Sequence, residues 1–270
     1  MEFIYDICPI CGSKNIKVIS KENVEEDTVY SYVCSSCNET FSSLSKRNKY
    51  IQKSRVETSN ISSATNKKDA KDIFKDNIDS VVAIYCNFAN KASTGTGFII
   101  NSNYVITNAH IVFDKDDPEN TTLCENVFAK FNDSDTLYEL EFVFASKELD
   151  ICILHFAYES NYKSCSFASG DCVTGEKVYT IGNSKGKGLA ILDGIVADNV
   201  REISGHEYMM ITALVTNGNS GGPVFNENGE LLGMVTSGSN DALVMNYAIP
   251  LKVILEFIKE VEQKEELKIL

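Results

Sequence analysis

The stretch Asn217-Gly218-Asn219-Ser220-Gly221-Gly222-Pro223 decides the fold of this chain. It places one serine between glycines, so the backbone can turn sharply on both sides of the hydroxyl and bring N–H groups together. The same composition also makes ordinary surface turns, and that alternative stays open for the stretch taken by itself. The rest of the chain separates the two interpretations, because a serine hydroxyl is a good nucleophile only beside a base and a carboxylate.

Two upstream residues have the chemistry that such a serine requires. His110 lies in the run Tyr104–Val112, and Asp150 lies at the start of the apolar run Leu149–Leu154. A histidine can take the serine proton, and a carboxylate can hold the imidazole in the tautomer that does so. The alternatives are a core histidine with satisfied hydrogen bonds and an aspartate that caps a strand end. We predict a triad of His110, Asp150 and Ser220.

Around these residues the chain resembles the trypsin-like serine peptidases, and most closely their HtrA/Deg branch. The resemblance covers about residues 79–251, and its motifs occur in the order of the family. They are Gly95-Thr96-Gly97-Phe98, Thr107-Asn108-Ala109-His110, Asp150-Ile151-Cys152-Ile153-Leu154, Ile181-Gly182-Asn183, Gly194-Ile195-Val196, Gly218-Asn219-Ser220-Gly221-Gly222-Pro223 and Ala248-Ile249-Pro250. The resemblance implies a serine endopeptidase that cleaves a protein or peptide substrate through an acyl-enzyme, without a cofactor for catalysis.

The resemblance also implies an oxyanion hole formed by the backbone N–H groups of Gly218 and Ser220, with Asn219 between them. HtrA relatives have proline where this chain has Asn217, which suggests the hypothesis that the hole is unformed in the resting protein.

The substrate pocket is predicted from the same resemblance. Leu214 stands six residues before Ser220, at the position where trypsin has an acidic residue. The other wall of the pocket is predicted near Val235, Thr236 and Ser237. We therefore expect a small or medium apolar side chain before the cleaved bond.

Short apolar runs separated by polar turns predict an all-β fold for the middle of the chain. The pair Asn228-Gly229 between two apolar runs is a hairpin signal. The resemblance narrows the prediction to two six-stranded antiparallel β-barrels in residues 72–251, with the triad in the cleft between them. Apolar residues at helical spacing predict a C-terminal helix and tail in residues 252–270. HtrA proteins usually continue into a PDZ domain, and we expect none in this chain.

The first 45 residues contain two C-x-x-C pairs, Cys8 with Cys11 and Cys34 with Cys37. Two such pairs, separated by runs that alternate like strands, can place four thiolates on one tetrahedral zinc ion. Residues 1–45 resemble a zinc ribbon, and the zinc is predicted to be structural because four cysteines leave no position for water. The alternatives are reduced structural thiols or a redox C-x-x-C. Residues 46–71 are predicted to be a basic, polar linker.

The composition of the chain restricts which partners it can bind and where in the cell it can be. The chain has 270 residues and a formal net charge of -13, which argues against general binding to nucleic acid or anionic membranes. It shows no apolar run long enough to span a membrane, and its N-terminus lacks the basic and apolar regions of a signal peptide. Nine cysteines, an odd number with four in a metal-like pattern, favour a reducing compartment. We therefore predict a cytoplasmic protein.

Two functions from different classes agree with these features. The first is a serine endopeptidase whose ribbon binds a regulatory protein partner or restrains activity; the ribbon has more acidic residues than lysines, which disfavours nucleic acid. The second is a catalytically weak scaffold or binding protein of the trypsin fold that acts through the zinc ribbon.

Overall fold

The computed structural model describes residues 8, 13–24, 27–36, 40–43, 67–117, 119, 121–158, 162–238 and 246–270. For residues 22–24, 27–30, 40–43, 237 and 238 it describes the backbone alone. Two predicted zinc ligands, Cys11 and Cys37, and most of the predicted linker lie outside the described residues.

A three-stranded antiparallel sheet begins the described part of the chain. Its strands are β1 (Ile16–Val24), β2 (Asp27–Cys34) and β3 (Thr40–Ser43), in spatial order β1-β2-β3. Helix α1 (Ala70–Asn77) follows, and the side chain of Asp69 accepts a hydrogen bond from the backbone N–H of Asp72 at its first turn. Such a cap satisfies one of the free N–H groups with which every helix begins.

Six strands then close into an antiparallel barrel in the order β4-β5-β6-β9-β8-β7. They are β4 (Val81–Asn87), β5 (Ala92–Ile100), β6 (Tyr104–Thr107), β7 (Asn126–Lys130), β8 (Tyr138–Ser146) and β9 (Ile151–Phe156). A short helix, α2 (Ala109–Val112), follows β6. The barrel interior is filled by alternate residues of these strands, among them Val82, Ile84 and Leu154.

A second antiparallel barrel has the order β10-β11-β12-β15-β14-β13. Its strands are β10 (Lys177–Asn183), β11 (Leu189–Ile203), β12 (His206–Ile211), β13 (Pro223–Phe225), β14 (Leu231–Gly238) and β15 (Asn246–Pro250). Helix α3 (Leu251–Glu265) begins directly after β15. The predicted all-β fold of two six-stranded antiparallel barrels followed by a C-terminal helix is confirmed.

The two barrels share one continuous apolar core with helix α3. Phe98 and Ile153 of the first barrel belong to the same buried cluster as Phe225 and Met234 of the second, together with Ile258 of the helix. Burial of this shared core fixes how the barrels face each other, which positions the cleft between them. None of the helices within the described ranges is long and apolar enough to cross a lipid bilayer.

The N-terminal sheet packs on the outside of the first barrel. Tyr32 and Cys34 of β2 lie in one buried cluster with Tyr85 of β4 and Phe128 of β7. Side chains alternate across a strand, so Tyr85 faces outward while its neighbour Ile84 faces the barrel interior. The sheet therefore covers an apolar patch that the barrel would otherwise expose to water.

Candidate active site

His110 and Asp150 are brought together by two neighbouring strands of the first barrel. Thr107, at the end of β6, pairs with Cys152, near the start of β9, so the residues just beyond them meet at one barrel end. The carboxylate Oδ2 of Asp150 accepts a hydrogen bond from His110 Nδ1 at 2.8 Å. Its Oδ1 accepts from the backbone N–H of His110 at 3.0 Å. The imidazole is thus held with Nδ1 as the donor and Nε2 turned away from the carboxylate.

The backbone of Asp150 is held in an unusual conformation. Its φ is 55°, a left-handed value that aspartate tolerates better than most residues. The side-chain amide of Asn108 donates to the Asp150 carbonyl at 2.9 Å. Asn108 precedes the short helix that bears His110, so this hydrogen bond holds the backbone of Asp150 next to that helix.

Thr236 connects the two barrels at the site. Its Oγ1 donates to Asp150 Oδ2 at 2.6 Å, and its carbonyl accepts a hydrogen bond from Ser220 Oγ at 3.1 Å. The sequence predicts Thr236 only as a pocket wall, because nothing in the local pattern of a buried strand identifies the partner across the cleft. His110, Asp150, Thr236 and Ser220 therefore form one chain of hydrogen bonds.

Ser220 lies on the second barrel, in the segment before β13. Its backbone carbonyl accepts from the N–H of Thr96 on the first barrel at 2.9 Å, so both barrels position the serine. The hydroxyl is bonded to Thr236 rather than to the imidazole. Catalytic hydrogen bonds are often long or formed elsewhere before substrate binds, so this geometry is compatible with a nucleophile at rest.

A tight turn precedes the serine. The N–H of Asn219 donates to the carbonyl of Thr216 at 3.0 Å, and Gly218 has a φ of 95°. A hydrogen bond from the fourth residue to the first, with positive φ at the third, defines a type II turn. The carbonyl of Asn217 accepts from the N–H of Lys185 at 2.7 Å. Because the two ends of a trans peptide point in opposite directions, the Gly218 N–H faces away from Lys185.

The backbone N–H groups of this segment differ in whether they donate a hydrogen bond within the protein. Those of Asn219, Gly221 and Gly222 donate to backbone carbonyls. Within the ranges that the structure describes, no acceptor is recorded for the N–H of Gly218 or of Ser220. These two groups are the donors that an oxyanion would need. The arrangement argues against the hypothesis of an unformed hole, since the Asn217 carbonyl is already bonded elsewhere.

Hydrogen bonds from the segment 183–188 and from Thr96 stabilise the turn before Ser220. Ser184 Oγ donates to Asn219 Oδ1 at 2.8 Å. Thr96 Oγ1 donates to the Gly218 carbonyl at 2.7 Å and accepts from the N–H of Asn183 at 2.9 Å. Sequence reasoning missed the role of Thr96 and Asn183, although both lie in motifs that carry the family resemblance.

The residues predicted for the substrate pocket lie in different environments. The side chain of Leu214 is 53% exposed, as a residue that contacts substrate can be. Val235 is 1% exposed and packs in the core of the second barrel. Ser237 lies in β14, and its side chain is outside the described part of the structure. The structure thus brings Leu214 to a surface and Thr236 to the triad, whereas the side chain of Val235 points into the barrel.

Two of the four predicted zinc ligands are described. Cys8 and Cys34 are both fully buried and belong to one cluster, although 26 positions separate them in the chain. The N–H of Ser36 donates to Cys34 Sγ at 3.4 Å. Among the described residues alone, no group of three metal-ligating side chains occurs.

Residues 95–234 match the model of the family described as "Trypsin-like peptidase domain", and the chain belongs to this family. Among curated proteins it is similar to the "Probable periplasmic serine endoprotease DegP-like" of Rhizobium meliloti (strain 1021), with 30% identity over 169 residues that cover 59% of this chain and 31% of that protein. The protein of the same name from Brucella suis biovar 1 is 29% identical over 179 residues, which cover 63% of this chain and 33% of that protein. The chain thus spans about a third of the length of these relatives.

Solved structures share the fold. One is the "HtrA-type protease AlgW with tripeptide", with a TM-score of 0.62 and 22% identity, covering 72% of this chain and 63% of that one. Another is the serine endoprotease from Yersinia pestis, with a TM-score of 0.63 and 20% identity, covering 73% of this chain and 67% of that one.

The prediction of a cytoplasmic location is wrong by this comparison, because the curated relatives are named as periplasmic proteins. The number of cysteines was a poor indicator of the cellular compartment. Cys86, Cys152 and Cys165 are buried in the protein interior, and burial raises the pKa of Cys165 to about 12. Buried thiols of this kind are chemically inert, so they say little about the compartment.

Proposed function

We propose that this protein is a serine endopeptidase that cleaves peptide bonds in a protein or peptide substrate. The observation that carries the proposal is the chain of hydrogen bonds from His110 through Asp150 and Thr236 to Ser220. It joins a nucleophile, an oriented base and the acid that orients the base, and it crosses the cleft between the barrels. Family membership and the names of the DegP-like relatives support the same activity.

Each residue has a defined role in the proposed reaction. Ser220 Oγ attacks the substrate carbonyl carbon while His110 Nε2 takes its proton, and Asp150 stabilises the resulting imidazolium. His110 then returns the proton to the leaving amine, and water, activated by the same imidazole, hydrolyses the acyl-enzyme. The N–H groups of Gly218 and Ser220, with Asn219 between them, would hold the negative oxygen of each tetrahedral intermediate. Thr236 keeps the carboxylate in place.

We further propose that the side chain before the cleaved bond is small or medium and apolar. The exposed Leu214 supports this preference, because it stands where an acidic residue would select basic side chains. Thr236 and Ser237 would complete the wall, while Val235 would act through its backbone.

A fluorophosphonate probe tests the proposed function directly. The reagent forms a covalent bond with a serine only where the base and the oxyanion donors are assembled. We expect stoichiometric labelling of the wild-type protein, mapped to Ser220 by mass spectrometry, and none of Ser220→Ala. Folded wild-type protein that stays unlabelled, also when a protein substrate is present, would overturn the proposal and favour a trypsin-fold scaffold.

We also propose that Cys8, Cys11, Cys34 and Cys37 hold one structural zinc ion, and that the ribbon so formed regulates the peptidase or binds a regulatory protein. The buried pair Cys8 and Cys34 supports the site. A contact between the ribbon and the region of the active site supports regulation. Leu189 packs against the buried cluster that contains Cys8 and Cys34, and it directly follows the segment 183–188, which is hydrogen-bonded to the Gly218 turn. A bound metal would fold the ribbon and so keep this contact in place.

Metal removal provides the corresponding prediction. We expect one zinc ion per chain by elemental analysis, and a strong chelator should uncover the patch around Tyr85 and Phe128. Amide hydrogen exchange would then increase in β4 and β7, and both Cys34→Ser and chelation should lower the melting temperature. Cys172→Ser is the matched control, because Cys172 is partly exposed and lies outside the N-terminal segment. A metal-free protein with unchanged exchange in β4 would contradict the zinc proposal and leave the peptidase proposal untouched.

A further inference from the structure

Two exposed lysines, whose side chains have no role in the proposed mechanism, lie in the segment 183–188. They are Lys185 and Lys187. The backbone N–H of Lys185 donates to the carbonyl of Asn217 at 2.7 Å, so this lysine directly adjoins the turn that presents the Gly218 N–H. In the part of the chain that the structure describes, neither ammonium group forms a hydrogen bond or an ion pair. Two unpaired positive charges therefore lie beside the candidate active site.

The backbone of Lys185 has an unusual conformation for a lysine. Its φ is 55°, in the left-handed region that glycine adopts freely and that other residues adopt at a cost. A glycine at this position would keep the same backbone path without that cost. The fold alone therefore does not explain the lysine, and residues held in this region cluster at functional sites. The position points to a use for the side chain.

The peptide between Ser220 and Gly221 shows what lies on each side of the nucleophile. Its carbonyl accepts a hydrogen bond from the N–H of Thr96 in β5 at 2.9 Å, whereas its N–H donates to the carbonyl of Val235 in β14 at 2.8 Å. The two ends of a trans peptide point in opposite directions. Strands β5 and β14 therefore lie on opposite sides of Ser220.

The segment 183–188 belongs to the β5 side of the nucleophile. Asn183 Nδ2 donates to Thr94 Oγ1 at 2.9 Å, and the backbone N–H of Asn183 donates to Thr96 Oγ1, also at 2.9 Å. Both threonines are in β5. The segment that bears the two lysines and strand β5 therefore form one wall of the cleft, across from β14.

The part of the substrate that follows the cleaved bond is expected along this wall. The pocket for the residue before the bond is proposed at Thr236 and Ser237 of β14, so the chain continues towards the opposite side. Strand β5 also packs against the residue after His110, because a Cβ on Gly95 would lie 2.2 Å from Ile111 Cδ1. His110 donates its proton to the leaving amine, so that amine must lie within reach of the β5 side.

We propose that Lys185 and Lys187 select substrates with an acidic side chain among the first three residues after the cleaved bond. This inference rests on the proposed peptidase function. An extended substrate advances about 3.3 Å per residue, so these residues pass along the wall that bears the lysines. A lysine ammonium is a compact charge on a flexible stem, so it can follow a carboxylate at any of these positions.

The expected preference is modest and sensitive to salt. A single exposed ion pair changes an equilibrium by up to about fivefold. We expect kcat/KM for a peptide with Glu after the cleaved bond to exceed that of its Gln counterpart about fivefold in ~0.1 M salt, where the Debye length is about 10 Å. The preference should disappear in ~1 M salt, where that length falls to about 3 Å.

Matched peptides and variants test this inference. A casein cleavage site is first identified by mass spectrometry. Quenched fluorescent peptides then share its residues before the bond and carry Glu, Gln or Lys in turn at each of the three positions after it. Lys185→Gln and Lys187→Gln, singly and together, remove the charges and keep long polar side chains. Lys177→Gln is the matched control, because Lys177 is a surface lysine at the other end of β10 that forms an ion pair with Asp193.

The readout is the ratio of kcat/KM for the Glu peptide to that for the Gln peptide in the same variant, so a general loss of activity cancels. We expect a smaller ratio in each single variant, no preference in the double variant, and the wild-type ratio in Lys177→Gln. Equal rates for both peptides in wild-type protein that is labelled at Ser220 by a fluorophosphonate, or an unchanged ratio in the double variant, would refute this inference and leave the proposed function standing. Wild-type protein that fails to label would refute both.

Discussion

Asp150→Asn is expected to lower the rate of peptide-bond cleavage about 10⁴-fold while both barrels stay folded. The carboxylate accepts three hydrogen bonds, from the backbone N–H of His110, from His110 Nδ1 and from Thr236 Oγ1. Asparagine offers one oxygen and one NH₂ group in the same space, so one side of the side chain must change from acceptor to donor.

The geometry decides which side changes. The backbone N–H of His110 cannot rotate, so the asparagine oxygen stays on that side and the NH₂ group takes the place of Oδ2. His110 Nδ1 must then accept a hydrogen bond, which moves the ring proton to Nε2. In that tautomer the imidazole cannot take the proton of Ser220, and the charge that would stabilise an imidazolium is also lost.

The measurement is kcat for a wild-type-cleavable unfolded protein such as casein, with the rate of fluorophosphonate labelling measured in parallel. Asp198→Asn is the matched control: Asp198 Oδ2 accepts a hydrogen bond from Arg201 Nε at 3.0 Å on the protein surface, and we expect less than a twofold effect. A loss of less than tenfold in Asp150→Asn, with the melting temperature unchanged, would contradict the proposed role of the carboxylate.

The sequence predicted the two barrels because short apolar runs alternate with polar turns and the motifs occur in the order of the family. It could not show which segment packs on each face of a strand. All seven residues of β4 are buried. Val82, Ile84 and Cys86 fill the barrel, while Tyr85 lies under the N-terminal sheet. A continuous apolar run indicates burial on both sides of a strand, and it does not say which distant segment packs there.

Strand β11 shows a second limit. The apolar run of residues 189–196 predicts a strand that ends at Val196, whereas the structure extends it to Ile203. The added residues include Asp198 and Glu202, which have low strand preference, and their pairing with β12 overrides that preference. Local propensity is a weak guide where a hairpin partner supplies the hydrogen bonds.

The sequence predicts candidate site residues where chemistry requires a particular residue type, as at His110, Asp150 and Ser220, and the structure joins these three through hydrogen bonds. Thr236 and Thr96 were not predicted in their roles, because a hydroxyl that bonds across the cleft looks like any other strand threonine. Their contribution depends on which strands become neighbours after both barrels close. Sequence reasoning therefore identifies the reacting groups more readily than the groups that position them.

Gly218→Ala is expected to lower kcat by about 10²- to 10³-fold, the effect of losing one oxyanion donor. A Cβ at this position would lie 2.1 Å from the carbonyl oxygen of Asn183 and 3.2 Å from the N–H nitrogen of Lys185. Both are backbone atoms, which cannot swing aside as a side chain can. The turn must therefore move away from the segment 183–188, and the Gly218 N–H moves with it.

Gly175→Ala separates this displacement from simple backbone strain. Gly175 has a φ of 92°, close to the 95° of Gly218, but a Cβ there would meet no atom within 4 Å. Both variants force alanine into a left-handed conformation, at a similar cost in stability. Only Gly218→Ala also displaces the turn before Ser220. We therefore expect both melting temperatures to fall, that of Gly218→Ala further because of the added collision, while casein cleavage and fluorophosphonate labelling fall in Gly218→Ala alone. Equal rates in the two variants would mean that the Gly218 N–H does not act on the oxyanion.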